Sequence, residues 1–277
     1  MIKLLRAGFF RLKKDFIFWL FIFLTIGIAG FTLFRYTSYE EISLDKLINE
    51  FTTYIGFFIA IFVSIFVGKE HSEGIIRNKI IVGHNRISIF LSSLIISVVV
   101  SLLCEIIYLL VVFVIGIPLF GKMQMTSTQF MMVLLNTILI IISFCSIYNF
   151  ISMICSEITI STTICIIIFI AMFIAQGAFS LTAHTNKYIE ETFYDANGNK
   201  HIVSQEINPN YPGDDKVKQA RLIYLSIPQG QAMEISNNNL EYLKQMPIYS
   251  ITLIGIVNIL GIYIFSKKEL KLSLIHI

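Results

Sequence analysis

One stretch decides the fold. Residues 89–117 read IFLSSLIISVVVSLLCEIIYLLVVFVIGI and contain a single charged residue, Glu105. An α-helix rises about 1.5 Å per residue, so about 20 apolar residues cross the hydrocarbon core of a bilayer. The stretch is therefore predicted to be a transmembrane helix.

The chain contains five more segments of this kind. They are Phe16–Phe34, Phe51–Val67 (with a start near Leu47 as the alternative), Phe130–Ile154, Ile158–Phe179 and Pro247–Phe265. Charged residues make up 14% of the 277 residues, whereas soluble proteins carry about 25%. The excess apolar surface has to meet lipid. We predict an all-α integral membrane protein with six transmembrane helices, in one domain over residues 1–277.

The positions of lysine and arginine predict the orientation. With the N-terminus inside the cell, 12 of the 21 Lys and Arg lie on the inner side and 9 on the outer side. Six of those nine lie in the loop 180–246, and long loops translocate largely regardless of their charge. We therefore expect both termini to be cytoplasmic.

The N-terminal segment, Met1–Asp15, carries five Lys and Arg. Apolar residues recur at helical spacing, at Ile2, Leu5, Phe9 and Leu12. This pattern predicts an amphipathic helix that lies on an anionic membrane surface.

The loop 180–246 is predicted to form a small extracellular cap between spans five and six. Asn197-Gly198 between two strand-like runs is a hairpin signal. Asp214–Ile227 has the pattern of a helix, which Pro228 is expected to end. The alternative is a solvated loop.

The segment between spans two and three reads GKEHSEGIIRNKIIVGHNR, residues 68–86. Four isoleucines cluster on one helical face: Ile75, Ile76, Ile80 and Ile81. Glu73 and Arg77 stand four residues apart, a favourable order for a pair along a helix, and Gly83 is placed to stop that helix. We predict a short cytoplasmic helix that rests against a soluble partner. The alternative is an interfacial helix that only links two spans.

This segment resembles the cytoplasmic segment that follows the second span in ABC-2 type transporter permeases. The matching positions are Glu70, His71, Ser72, Gly74, Arg77, Gly83 and Arg86, with Ile75 where those permeases have threonine. RLIYLSIPQGQ, residues 221–231, and YSITLIGIVNILGIYIFSKKELK, residues 249–271, are similar to the segments before and within their last span. The small permeases of the bacitracin-export and lantibiotic-immunity type fit best.

The resemblance implies a permease subunit of an ATP-driven exporter in a bacterial plasma membrane. Two copies of an ABC ATP-binding subunit and a second permease copy or paralogue would be its partners, with ATP and Mg²⁺ held by the ATP-binding subunit. The resemblance makes the segment around Glu70 the coupling site. We assign coupling to Glu70, Glu73, Ile75, Ile76, Arg77 and Ile80. It leaves the cargo open among amphipathic peptides, lipids and drug-like molecules.

No catalytic machinery is apparent in the sequence. A phosphate-binding loop needs G-x-x-x-x-G-K-[ST], but Gly68-Lys69 is preceded by Val63 and followed by Glu70. The histidines and cysteines lack the spacing of a zinc site, and a net charge of +3 gives no reason to expect nucleic acid. We expect a transport subunit with no cofactor of its own, and not an enzyme.

Two polar residues inside the spans are further candidates. A carboxylate inside a membrane costs roughly 2.5–3.5 kcal/mol on insertion scales, so Glu105 is expected to face the bundle interior. It is either a polar point on the cargo path or dimer interface, or a neutral carboxyl that joins helices, with Asn149 or a hydroxyl as its partner.

Three other functions stay open. A stand-alone secondary transporter or channel would act without ATP, and internal repeats would favour it. A membrane immunity protein would bind a peptide without transporting it. An intramembrane enzyme would need paired catalytic groups within the spans.

Overall fold

The computed structural model describes residues 1–38, 43–194 and 200–268, and most of these residues are helical. In chain order the elements are α1 (Ile2–Lys14), α2 (Phe16–Tyr36), α3 (Leu44–Ser72), α4 (Ile75–Ile81), α5 (Arg86–Phe120), α6 (Ser127–Ile154), α7 (Ile158–Ala183), β1 (Tyr188–Tyr194), β2 (Lys200–Ile207), α8 (Asp214–Ser226), α9 (Pro228–Ser236) and α10 (Met246–Lys267). Among the described residues, six helices are long and apolar enough to cross a membrane: α2, α3, α5, α6, α7 and α10. The six predicted segments are therefore confirmed as helices of sufficient length and apolarity to cross a membrane.

All six helices extend beyond the predicted spans, and α3 and α5 do so most. α3 begins at Leu44 because its first turns pack inside the protein, where the Asp45 carboxylate accepts hydrogen bonds from the backbone amides of Gln124 and Met125. α5 begins at Arg86 and continues past the predicted end at Ile117, through Pro118, to Phe120. The polar and proline residues at these ends therefore belong to helices.

The two ends of the helix bundle differ. Lys69 pairs with Asp15 (2.9 Å), Arg86 donates to the Phe265 carbonyl (3.1 Å), and Lys268 donates to the Ile154 carbonyl (2.7 Å). These contacts gather α1, α4, the start of α5, the α6–α7 turn and the end of α10 at one end, which we call the basic face. The other end carries β1, β2, α8 and α9, and we call it the hairpin face.

The centre of the bundle is α3. It packs against α5, α6 and α7, and its residues Phe51, Ile55, Ile59 and Val63 are at most 2% exposed. In contrast, only a small share of the residues of α7 and α10 is buried inside the protein. Such exposure is expected where helices face lipid.

The loop between α7 and α10 is more ordered than its composition suggests. β1 and β2 form an antiparallel hairpin in which Tyr188 is opposite Ile207. Its predicted turn at Asn197-Gly198 lies outside the described residues. The helix predicted over Asp214–Ile227 is confirmed as α8. Pro228, predicted only to end that helix, also begins α9, because proline needs no amide partner in a first helical turn.

The predicted N-terminal helix is confirmed as α1, but a different stripe of it faces the protein. Leu4, Gly8 and Leu12 are buried in the contact of α1 with α5. Ile2, expected on the apolar stripe, is 83% exposed. α1 is thus fixed to the bundle along one side.

Candidate functional site

The predicted coupling helix exists as α4, but it is separate from α3. α3 ends at Ser72, Gly74 has φ 68°, and α4 begins at Ile75. Glycine adopts this left-handed conformation without the steric cost of a Cβ. The prediction that Glu73 and Arg77 pair along one helix is therefore wrong. None of the ion pairs in the described part of the chain joins them.

Glu70 holds three helices together at the basic face. Its side chain is 1% exposed and lies near the end of α3. Lys79 of α4 donates to both carboxylate oxygens, at 2.9 and 2.8 Å, and Arg11 of α1 donates to Oε1. Breaking a buried ion pair leaves a charge without compensation. This cluster therefore fixes α1 and α4 relative to α3.

The predicted coupling residues differ in accessibility. Glu70 and Ile76 are 1% exposed, so neither offers a surface to a partner. Ile75, Arg77 and Ile80 are half-buried, and Glu73 is exposed. The exposed apolar surface of this segment lies further on, at Ile81 (66%) and Val82 (76%). Ile81 was noted in the sequence pattern but not assigned to the site, and Val82 was missed.

A groove separates α1 from α4. It has a volume of about 330 Å³, and Leu4, Ala7, Ile75, Val82 and Lys79 are among its lining residues. Glu70 and Arg11 form part of its wall. The groove and the exposed side chains of Ile81 and Val82 together form an apolar surface. The rest of the basic face is mainly cationic.

On the basic face, Arg86 and Lys268 donate hydrogen bonds to the last carbonyls of α10 and α6. Arg86 donates to the carbonyls of Phe265 (3.1 Å), Ser266 (3.3 Å) and Lys268. The Lys268 ammonium donates to the carbonyls of Met153 (3.3 Å) and Ile154 (2.7 Å), and burial lowers its pKa. The last carbonyls of a helix have no partner within the helix, so cations are favourable there.

Replacing Arg86 with glutamine is expected to lower the free energy of unfolding by roughly 1.5 kcal/mol, the lower end for hydrogen bonds with a charged donor. The carbonyls at the end of α10 would lose a charged donor that a neutral amide replaces poorly. Unfolding in detergent measures the change. Lys122→Gln removes an exposed charge that takes part in none of the hydrogen bonds or ion pairs among the described residues, and it serves as the control. An Arg86→Gln protein as stable as the wild type would show that the caps do not hold α10.

The two intramembrane candidates do not meet. Glu105 of α5 is 6% exposed, and its Oε2 has no hydrogen-bond partner. Asn149 of α6 donates to the Phe90 carbonyl at 3.5 Å, so the predicted contact between Glu105 and Asn149 is wrong. Ser101 and Ser97 precede Glu105 at intervals of four residues, which places them on the same face of α5. Both serine hydroxyls donate to carbonyls of α5 itself.

A second polar cluster lies at the hairpin face. His184 Nε2 is 2.6 Å from Oε1 of Glu234, and its Nδ1 is 2.8 Å from the Ser180 carbonyl. A carbonyl oxygen only accepts, so Nδ1 carries a proton. Burial raises the pKa of Glu234, and His184 opposes that shift. The cluster joins α9 to the end of α7.

Residues 221–231 are the segment that is similar to the one before the last span of ABC-2 type permeases. This segment lies next to the cluster and is largely buried. Gln229 donates to the Thr53 carbonyl of α3 (3.1 Å), and Gln231 accepts from Ser250 of α10 (2.7 Å). Its polar residues therefore join helices. In residues 1–38, 43–194 and 200–268, no group of three His, Cys, Asp or Glu is placed to hold a metal ion, and the four cysteines are unpaired.

Comparison with known proteins does not assign the chain to a family. No family model matches its sequence, and a search of curated proteins found no match.

Proposed function

We propose that this chain is the membrane-spanning permease subunit of an ATP-driven exporter in a bacterial plasma membrane. A separate ABC ATP-binding subunit, present in two copies, would hold ATP and Mg²⁺. A second permease copy or a paralogue would complete the membrane part. The cargo would be an amphipathic peptide, a lipid or a drug-like molecule, moved outward.

The observation that carries this proposal is the construction of α4. It is a seven-residue helix outside the membrane spans, and the buried Glu70 clamps it to α3 and α1 through Lys79 and Arg11. Beyond that clamp, Ile81 and Val82 project as exposed apolar side chains. Together with the adjoining groove they form a contiguous apolar patch, and such patches mark sites of interaction with another protein or with a membrane.

The same contacts suggest how a partner would drive the spans. A push on Ile81 and Val82 acts on α4, which the Glu70 clamp joins to α3. It also acts on the turn into α5, where Arg86 is bonded to the end of α10. Two neighbouring parts of the basic face would thus move three spans. In this orientation the basic face is cytoplasmic and cargo leaves at the hairpin face.

The proposal is tested by affinity purification of the tagged chain from its native host in mild detergent. We expect a P-loop ATPase in near-stoichiometric amount. The double variant Ile81→Ser and Val82→Ser is expected to reduce the recovered ATPase at least tenfold, because it removes the exposed apolar contact without touching the Glu70 clamp.

A matched control is available at the opposite end of the bundle. Leu181 and Ile207 are 81% and 72% exposed, and replacing both with serine should leave ATPase recovery unchanged. Recovery of the chain without any ATPase, under conditions that retain other membrane complexes, would contradict the proposal and favour a stand-alone transporter or an immunity protein.

A further inference from the structure

A second cavity lies at the bend between α1 and α2. It has a volume of about 360 Å³, and its lining includes Arg11, Lys14 and Lys69 together with the aromatic rings of Phe16 and Phe66. A lining that combines cationic groups with aromatic rings matches a ligand that is anionic at one end and apolar at the other.

The charges around this cavity are unequally compensated. Lys69 is paired with Asp15 at 2.9 Å, so those two side chains cancel. Arg11 donates to Glu70 through Nη2, and a guanidinium has four further N–H donors. Lys14 takes part in none of the ion pairs among the described residues, and its ammonium lies 4.5 Å from the centre of the Phe10 ring. The cavity therefore offers an uncompensated ammonium and free guanidinium donors.

The Glu73 carboxylate at the cavity would repel an anionic ligand. Glu73 lines the cavity together with Asp15, but Asp15 is neutralised by Lys69 and also caps the first turn of α2. Glu73 is exposed, where water and salt screen its charge. The lining as a whole carries three cations, Arg11, Lys14 and Lys69, against the two carboxylates, so its balance remains positive.

The aromatic residues near this cavity place it at the membrane surface. The Trp19 indole donates to the Lys13 carbonyl (3.0 Å) while 57% of its side chain is exposed. Phe16 and Phe23, 75% and 73% exposed, continue along the outer side of α2. Tryptophan concentrates at membrane–water interfaces. The cavity thus opens where lipid headgroups lie, and the exposed rings lead from it towards the acyl chains.

We propose that this cavity binds the phosphate group of an anionic phospholipid. Lys14 and Arg11 contact the phosphate, and the acyl chains run along Phe16 and Phe23. A free phosphate ion carries the same charged group, but it has no acyl chains that could pack on the exposed aromatic rings. The inference is independent of the transport function, because it depends only on α1, α2 and the end of α3.

Lipid retention on the full-length protein tests the site. The protein is purified in mild detergent, mixed with phosphatidylglycerol or phosphatidylcholine, and its bound lipids are counted by native mass spectrometry. We expect selective retention of phosphatidylglycerol and about fivefold weaker retention in Lys14→Gln, since a basic residue near an anionic membrane contributes about 1 kcal/mol. Lys13→Gln, which removes the same charge from an exposed neighbour outside the cavity, should behave as the wild type. Equal losses in the two variants would mean diffuse attraction and overturn the site.

Two further measurements distinguish binding of a phospholipid from binding of free phosphate. Phe16→Ala should weaken retention of phosphatidylglycerol, because it shortens the apolar path. Inorganic phosphate at millimolar concentration should not displace the lipid. If phosphate displaces it and Phe16→Ala has no effect, the cavity recognises a soluble anion and the lipid assignment is wrong.

Discussion

Replacing Glu70 with alanine is expected to lower the free energy of unfolding by about 3–5 kcal/mol, the range for removing one partner of a buried ion pair. The carboxylate is 1% exposed, and Lys79, which donates to both of its oxygens, is 14% exposed. Without Glu70, the largely buried Lys79 ammonium lacks a counter-charge and Arg11 loses its anchor. Unfolding in detergent measures the loss, and limited proteolysis of α1 and α4 should show that both helices detach.

Glu73 provides the matched control for this prediction. It is a glutamate three residues further along the same segment, but it is exposed. Glu73→Ala should change the free energy of unfolding by no more than about 0.5 kcal/mol, as is usual for surface positions. If the two alanine variants were equally stable, Glu70 would not be the residue that holds the basic face together.

Replacing Gly230 with alanine is expected to cost about 3 kcal/mol, the upper end for overpacking a well-packed site. A Cβ at Gly230 would come within 2.1 Å of the Tyr224 carbonyl oxygen. That oxygen belongs to the backbone of α8 and cannot rotate away as a side chain would. α9 would have to separate from α8, which would disturb the contact between the Tyr224 and His184 rings, whose centres are 5.3 Å apart.

The destabilisation by Gly230→Ala is compared with that of the same substitution at Gly177, which lies in the long helix α7. Gly177 of α7 has no atom within 4 Å of an added Cβ, so Gly177→Ala should not destabilise the protein. The readouts are the unfolding midpoint and the hydrogen exchange of α8 and α9. A Gly230→Ala protein with wild-type exchange in both helices would show that they separate without cost.

The six spans were predictable because a bilayer imposes a minimum length of apolar sequence. α8 was predictable for a similar local reason, since its apolar residues recur at helical spacing. α9 was missed because its sequence, PQGQAMEIS, is polar and short. Its burial results from contacts with α3 and α7, which no local pattern reveals.

The candidate site was predictable in place but not in detail. The segment 68–86 was singled out, and α4 lies within it. The spacing of Glu73 and Arg77 predicted that both lie on one helix, but the helix is interrupted at Gly74. A periodic pattern of residue types does not show that a single residue adopts a left-handed conformation. The role of Glu70 depends on Arg11, which is 59 residues away in sequence. A contact of that kind arises only from the packing of α1 against the bundle.

The bonds of Arg86 and Lys268 have a mechanical consequence. Arg86 stands at the first turn of α5 and holds the end of α10, while Lys268, just after α10, holds the end of α6. The three spans α5, α6 and α10 are thus linked by a short chain of charged hydrogen bonds at the basic face. Relative sliding of any two would break several of these bonds together. Whatever conformational cycle the protein has, these three helices should travel as one rigid body, and the joints that bend should be sought elsewhere.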